Sequence, residues 1–128
     1  MAINIHSCVN AATQYAGIAA LTGPQDAVDT MMAAFAERRR YITDRLNTLP
    51  GVSCIEPLGA FYAFPNITGT GMTAREFQNQ VLADAHVATI AGTSFGDMGE
   101  GFIRFSYAAS LEAITEALDR VEAFLKAR

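Results

Sequence analysis

Arg104 is the one charge in Gly101-Phe102-Ile103-Arg104-Phe105-Ser106-Tyr107, a run otherwise aromatic, apolar or small. The run predicts a β-strand, and a guanidinium drawn into a sheet without a partner is very costly. Arg104 therefore calls for an oxyanion in front of it. Its planar fork of N–H donors matches a carboxylate bidentately, whereas a lysine offers only a point charge. The partner can be a ligand carboxylate or phosphate, or one of the chain's own acids. Water suffices if the strand lies at a sheet edge.

Other constellations are weaker. Gly69-Thr70-Gly71-Met72-Thr73-Ala74 follows a strand and opens a helix, and so matches the dinucleotide fingerprint with Ala in the third place. That fingerprint needs an acidic residue about 20 positions on. There the chain reads Thr89-Ile90-Ala91-Gly92-Thr93-Ser94, so a surface loop is the simpler reading. His6 and His86 are the only histidines, and with Cys8 they lack a third ligand at a metal-site spacing, so no metal is expected. Arg38-Arg39-Arg40, near Glu37 and Asp44, reads as a solvated helix face. Lys126 is the only lysine, two residues from the end. On a polar helix end it has nothing around it to desolvate it, so it is no candidate for Schiff-base chemistry.

The elements that must position Arg104 follow from the rest of the 128 residues. Hydrophobic residues make up 51% and charged residues 17%, which marks a folding chain of one modest domain. Nine basic against thirteen acidic residues give a net charge of −4, which argues against nucleic acid as a partner. No apolar run reaches the roughly 18 residues of a membrane span, so no membrane partner is expected either. The N-terminus lacks the pattern of a signal peptide. Cys8 and Cys54 form no metal or redox spacing and suit a reducing cytoplasm.

Residues 8 to 21 are apolar on more than one helical face, which predicts a helix squeezed between larger bodies. Thr22-Gly23-Pro24 ends it, and a second helix runs to about Thr48 with Val28, Met31, Met32, Phe35, Ile42, Leu46 and Leu49 as one stripe. Val52–Ile55 and Gly59–Pro65 read as two strands joined at Glu56-Pro57-Leu58. Thr73 with Glu76 is a capping box for a helix that buries Phe77, Val81, Leu82 and Ala85. Val87–Ile90 and Phe102–Tyr107 are strands separated by a glycine-rich loop. Ser110 caps a last helix carrying Leu111, Ile114, Leu118, Val121 and Leu125. The order α-α-β-β-α-β-β-α predicts an α/β (α+β) two-layer sandwich, a small mixed or antiparallel sheet with helices on one face.

Four stretches together carry a family resemblance. Gly101-Phe102-Ile103-Arg104-Phe105-Ser106-Tyr107-Ala108 resembles the G-[FY]-[IL]-R-[FIL]-S-[YF]-A segment of the class I, aspartate-aminotransferase-type enzymes that use pyridoxal phosphate. Ser7-Cys8-Val9-Asn10 to Gln14 resembles their S-x-x-N-x-x-x-Q helix start. Leu49-Pro50-Gly51-Val52 with Pro57-Leu58-Gly59-Ala60-Phe61-Tyr62 resembles their LPGV…P-x-G-A-F-Y hairpin. Val87 to Gly96 resembles their V-A-x-x-P-G-x-x-F-G loop, with Ala91 where the pattern has Pro.

The resemblance implies that residues 1–23 form an interdomain helix segment and residues 24–128 the C-terminal small domain. The large domain, with its Schiff-base lysine and cofactor-binding residues, has no counterpart here. No catalytic or cofactor-binding residue is thus assigned to this chain, and pyridoxal phosphate is expected in the intact enzyme but not on this chain alone, which should be inactive. Arg104 corresponds to the arginine that holds the substrate α-carboxylate, and Phe61 and Tyr62 to hairpin residues on the substrate side. The implied reaction moves an amino group between an amino acid, L-aspartate first, and a 2-oxo acid such as 2-oxoglutarate, in a cytoplasmic homodimer. The alternative is a free-standing α/β module for ligand binding or dimerisation, since layer pattern does not determine function.

Overall fold

The computed structural model describes residues 8–128. Met1 to Ser7, and with them His6 and the first residue of the Ser7–Gln14 motif, lie outside the described residues. The chain divides into two compact units, and the boundary falls between Met32 and Ala33.

In the first unit, helix α1 spans Ala11–Thr22. Asn10 starts it, its Oδ1 accepting from the Thr13 N–H at 2.8 Å. It ends where Gly23 N–H donates to Ala19 O at 2.9 Å; a Cβ on Gly23 would stand 2.6 Å from that oxygen. No residue of α1 is buried. Tyr15, Ile18 and Leu21 are exposed, as are Val28, Met31 and Met32 at the start of helix α2, Asp26–Leu46. The single apolar stripe expected along α2 therefore has two fates, because only its later part meets the core, at Ile42 and Leu46.

The second unit holds β1 (Tyr62–Ala63), α3 (Ala74–Asp84), β2 (Ile90–Ala91), β3 (Ile103–Ser106) and α4 (Leu111–Lys126). The sheet is antiparallel with order β1-β3-β2, Tyr62 opposite Ser106 and Ile90 opposite Arg104. Arg104 thus lies on the central strand, which removes the edge-strand reading. Along β3 the pleat sends Ile103, Phe105 and Tyr107 into the core. They meet Phe77 and Val81 of α3 and Ile114, Leu118, Val121 and Leu125 of α4, each fully buried aliphatic contributing roughly 1.5–3 kcal/mol. Tyr41 on α2 and Thr115 on α4 share a 2.7 Å hydroxyl hydrogen bond, and Arg45 pairs with Asp119 and Glu122.

Four expectations are corrected. Residues 52–55 do not form a strand beside 59–65. They make one bridge, Ser53 with Asn66, because the next backbone groups are taken by a side chain: Cys54 N–H donates to Asn47 Oδ1 at 2.8 Å and Asn47 Nδ2 donates to Cys54 O at 2.9 Å. The strand expected at 87–90 is only Ile90–Ala91, since His86 turns the chain at φ 56° and Val87 N–H returns to Val81 O to close the end of α3. Leu82 is half exposed, and the buried face of α3 is made by Ala74, Phe77 and Val81. The triple arginine is also only partly solvated: Arg39 Nε stands 3.1 Å from Glu56 Oε1, and Arg38 lies over the Phe35 ring.

No helix among the described residues is long and apolar enough to cross a membrane. Both cysteines are free thiols.

Two outcomes follow. The apolar surface of α1 should drive association, so the mass from light scattering should rise with concentration and fall back in Ile18→Asp; a mass independent of concentration would contradict this. The capping box of α3 is complete, and hydrogen bonds from the Thr73 backbone and hydroxyl hold the Glu76 carboxyl below its ordinary range. A carboxyl depressed by folding stabilises above its unfolded value, and that contribution is lost as pH falls through the folded one. Glu76→Ala should therefore unfold at lower urea than the parent at pH 7, and the two curves should converge below pH ~4.

Candidate functional site

Phe102, Arg104 and Ser106 alternate with the core residues of β3 and stand on the opposite face of the sheet, where Tyr62 and Phe64 of the neighbouring segment join them. Phe64 stacks on Phe102 with centroids 5.4 Å apart and planes 5° from parallel, and meets Phe95 edge-on at 6.3 Å. Into this aromatic face Arg104 extends its guanidinium, 4.3 Å from the centre of the Tyr62 ring and 4.9 Å from that of Phe95. Both distances are within cation–π range.

Rings orient a guanidinium but do not satisfy its donors. Among the described residues, Arg39 pairs with Glu56, Arg45 with Asp119 and Glu122, Arg120 with Glu116 and Lys126 with Glu122; none of these acids pairs with Arg104. The internal salt bridge considered for Arg104 is thus not made among these residues. The fork is half-buried, has five N–H donors and makes no ion pair among the described residues, so it can take an oxyanion.

Phe95 comes from the loop between β2 and β3, which folds as two short 3-10 turns, Gly92–Phe95 and Asp97–Gly99. Its two ends meet backbone to backbone. A Cβ on Gly92 would lie 2.2 Å from Gly99 O, and one on Gly99 would lie 2.0 Å from Gly92 O. The loop is tied to α3 at both ends: Ala91 N–H donates to Gln78 Oε1 at 2.7 Å, and Glu100 Oε1 accepts from Ala74 N–H at 2.8 Å and Gly101 N–H at 3.0 Å.

The same Glu100 decides the dinucleotide fingerprint. The N-terminus of α3 already has its anions, Glu100 on Ala74 N–H and Glu76 on Thr73 N–H, so the place a pyrophosphate would take is filled by the chain's own carboxylates. Its glycines have structural roles. Gly69 lies backbone to backbone on Gly51, and Gly71 takes the left-handed turn before the helix. His86 is exposed, and no group of three metal-ligating side chains gathers among the described residues.

Of the residues expected from sequence, Arg104 and Tyr62 are in contact. Phe61 turns partly away to stack on Phe35 at 6.2 Å while its ring stays 4.5 Å from that of Tyr62. The hairpin is pinned from below by Tyr107, whose hydroxyl donates to Ala60 O at 2.9 Å and whose N–H donates to Phe61 O at 2.9 Å. Phe64, Phe95 and Phe102 carry much of the face and were not singled out from sequence. Phe64 and Phe102 are two positions from Tyr62 and Arg104, a period-2 signal; Phe95 is the Phe of the V-A-x-x-P-G-x-x-F-G loop the sequence resembles, but no period along the chain places it beside Arg104.

Residues 1–121 match the family described as aminotransferase class I and II. The chain belongs to that family, whose members use pyridoxal phosphate. It is 47% identical over 115 residues to an aspartate aminotransferase of Pyrococcus horikoshii, covering 88% of this chain and 29% of the relative. Among solved structures it is similar to an alanine aminotransferase from Pyrococcus furiosus, with TM-score 0.89 and 43% identity over 98% of this chain and 32% of the other. It is also similar to an aromatic aminotransferase from Pyrococcus horikoshii, with TM-score 0.89 and 38% identity over 98% of this chain and 34% of the other. The chain thus spans about a third or less of the length of these relatives.

The described residues do not fit the cofactor. Covalent capture of pyridoxal phosphate needs a desolvated lysine, and the chain's single lysine, Lys126, is 63% exposed at the end of α4 with Nζ on Glu122.

The loop closure gives a test. Gly99→Ala must push the two ends apart and should destabilise the chain by about 1–3 kcal/mol in urea unfolding. Gly59→Ala, with open space around the new Cβ, should stay within about 0.5 kcal/mol of the parent.

Proposed function

We propose that this chain is the C-terminal, substrate-holding part of a pyridoxal-phosphate aminotransferase that moves an amino group between L-aspartate and a 2-oxo acid such as 2-oxoglutarate. The observation that carries this is Arg104: a guanidinium set between two aromatic rings on an open sheet face, its fork free of any described acid. Relatives named as aspartate aminotransferases favour aspartate as the amino donor.

In this reading Arg104 grips the α-carboxylate common to all amino-acid and 2-oxo-acid substrates and fixes their orientation, while Tyr62 forms the floor beneath the guanidinium. Phe61 borders the same side, with Phe35 behind it. Holding the carboxylate in one geometry turns an otherwise diffusive encounter into an oriented one. Pyridoxal phosphate supplies the electron sink for the chemistry at the substrate's α-carbon. The lysine and the groups that hold the cofactor belong to a part of the enzyme beyond this chain, so the chain alone is inactive and holds no cofactor. The working enzyme is a cytoplasmic homodimer. Residues 1–23 act as the segment between domains, and residues 24–128 as the small domain.

A chimera tests the reading: this chain replaces the matching C-terminal part of the Pyrococcus horikoshii aspartate aminotransferase, and cofactor binding is read by absorbance. It should transaminate L-aspartate. Arg104→Ala should bind cofactor normally yet lose roughly 30- to several-thousand-fold in kcat/KM, the effect of removing one partner of a buried charge-assisted pair worth about 2–5 kcal/mol. Arg104→Lys should recover only part of this. Unchanged kcat/KM in Arg104→Ala for every amino acid tried would overturn the assignment. Turnover of alanine or phenylalanine in preference to aspartate would overturn the substrate.

A further inference from the structure

We infer that Phe95 is a positioning residue for Arg104, and that Gln78, outside the site, sets Phe95 by satisfying the buried N–H of Ala91. The inference rests on Arg104 being the carboxylate holder.

An arginine unpaired with any acid among the described residues has several torsions free to wander, and its affinity for a carboxylate suffers by the fraction of time the fork points elsewhere. The two rings at 4.3 and 4.9 Å limit that freedom from two sides. They differ in how they are held. Tyr62 sits on β1, hydrogen-bonded into the sheet, whereas Phe95 sits on a loop and is 56% exposed. The position of Phe95 is therefore only as good as the loop's anchoring.

That anchoring includes a departure from the motif the loop resembles. In the pattern it resembles, position 91 is proline, which has no N–H. Here it is Ala91, 0% exposed, and a buried N–H needs an acceptor. Gln78 Oε1 provides it from α3 at 2.7 Å. Ala91 has φ −59°, a value proline also adopts, so the backbone here is compatible with proline and differs in carrying an N–H. Gln78 satisfies the N–H that a proline at this position would not have. From there the loop runs through the Gly92–Gly99 contact to Phe95 and so to the guanidinium.

The kinetic test uses the chimera, with Phe95→Ala, Phe95→Tyr, Gln78→Leu and the pair Gln78→Leu/Ala91→Pro. Phe95→Ala should raise KM by roughly 2- to 30-fold, the range of one cation–π contact. The factor should be the same for aspartate, alanine and phenylalanine, because the α-carboxylate is common to them, and kcat should stay near the parent's. Phe95→Tyr should restore KM. Gln78→Leu should raise KM in the same uniform way, and adding Ala91→Pro, which removes the orphaned donor, should bring it back. A residue with only a structural role would lower the melting temperature and the active fraction, and hence kcat, with KM unchanged.

A second readout needs no turnover. In the 128-residue chain, the NMR resonance of the Arg104 Nε–H should sit upfield from ring currents and move downfield in Phe95→Ala. An unchanged resonance, or an unchanged KM in Phe95→Ala while Arg104→Ala remains crippled, would overturn the inference and leave the role of Arg104 standing. A rise in KM confined to phenylalanine would overturn it too, making Phe95 a wall for the substrate side chain. Full activity in Arg104→Ala would overturn the inference together with the reading beneath it.

Discussion

A cation on a central strand, flanked by rings rather than acids, sets the terms for this domain. A carboxylate of the chain's own beside Arg104 would form an ion pair that any incoming anion must displace. Two aromatic faces do something different: each contact contributes about 0.5–2 kcal/mol, enough to bias the guanidinium's orientation, and leaves its donors free. Other arginines in the second unit show the contrast. Arg45 is engaged by Asp119 and Glu122, Arg39 by Glu56 and Arg120 by Glu116, in pairs that join helix to helix, helix to loop, or one helical turn to the next. Those side chains are paired, whereas among the described residues Arg104 has rings and no acid beside it.

Keeping the face open requires the rest of the unit to satisfy its own polar groups elsewhere. At the start of α3, Glu76 and Glu100 supply the anions that a helix N-terminus attracts, so that end is not a ligand site. Glu100 also ties the β2–β3 loop to that helix, and the glycine contact at 92 and 99 closes the loop on itself. Tyr107 performs the equivalent task for the hairpin, reaching from the core side of β3 to the carbonyl of Ala60, a residue held at φ 58°. The ring beneath Arg104 and the ring beside it are therefore each fixed by hydrogen bonds made away from the open face.

The first unit follows different physics. Its helix α1 has caps at both ends and no buried residue, so local hydrogen bonds define it while its apolar side chains remain uncovered. The chain spans about 30% of the length of the relative it matches. α2 carries both situations within one helix, with Met31 and Met32 exposed and Ile42 and Leu46 in the core.

Much of this was legible in the sequence wherever the signal is local. The capping box at Thr73 and Glu76, the Ser110 cap, the helical period of Ile114, Leu118, Val121 and Leu125, and the lone charge of β3 were all readable because each depends on residues within one or two turns of one another. Sequence also determined that a guanidinium at position 104 must find an oxyanion or water, since desolvation penalises an unpaired one in any fold. What it left open was decided by contacts between distant segments. Asn47 competes with a strand partner for Cys54, so the expected first strand is a single bridge. The sheet order puts Arg104 on the central strand, and Phe95 reaches it only through a loop closed by two glycines. A pattern along the chain states which groups must be satisfied. Which partner satisfies them is settled by the competition among all groups brought within reach, and that exists only once the chain has folded.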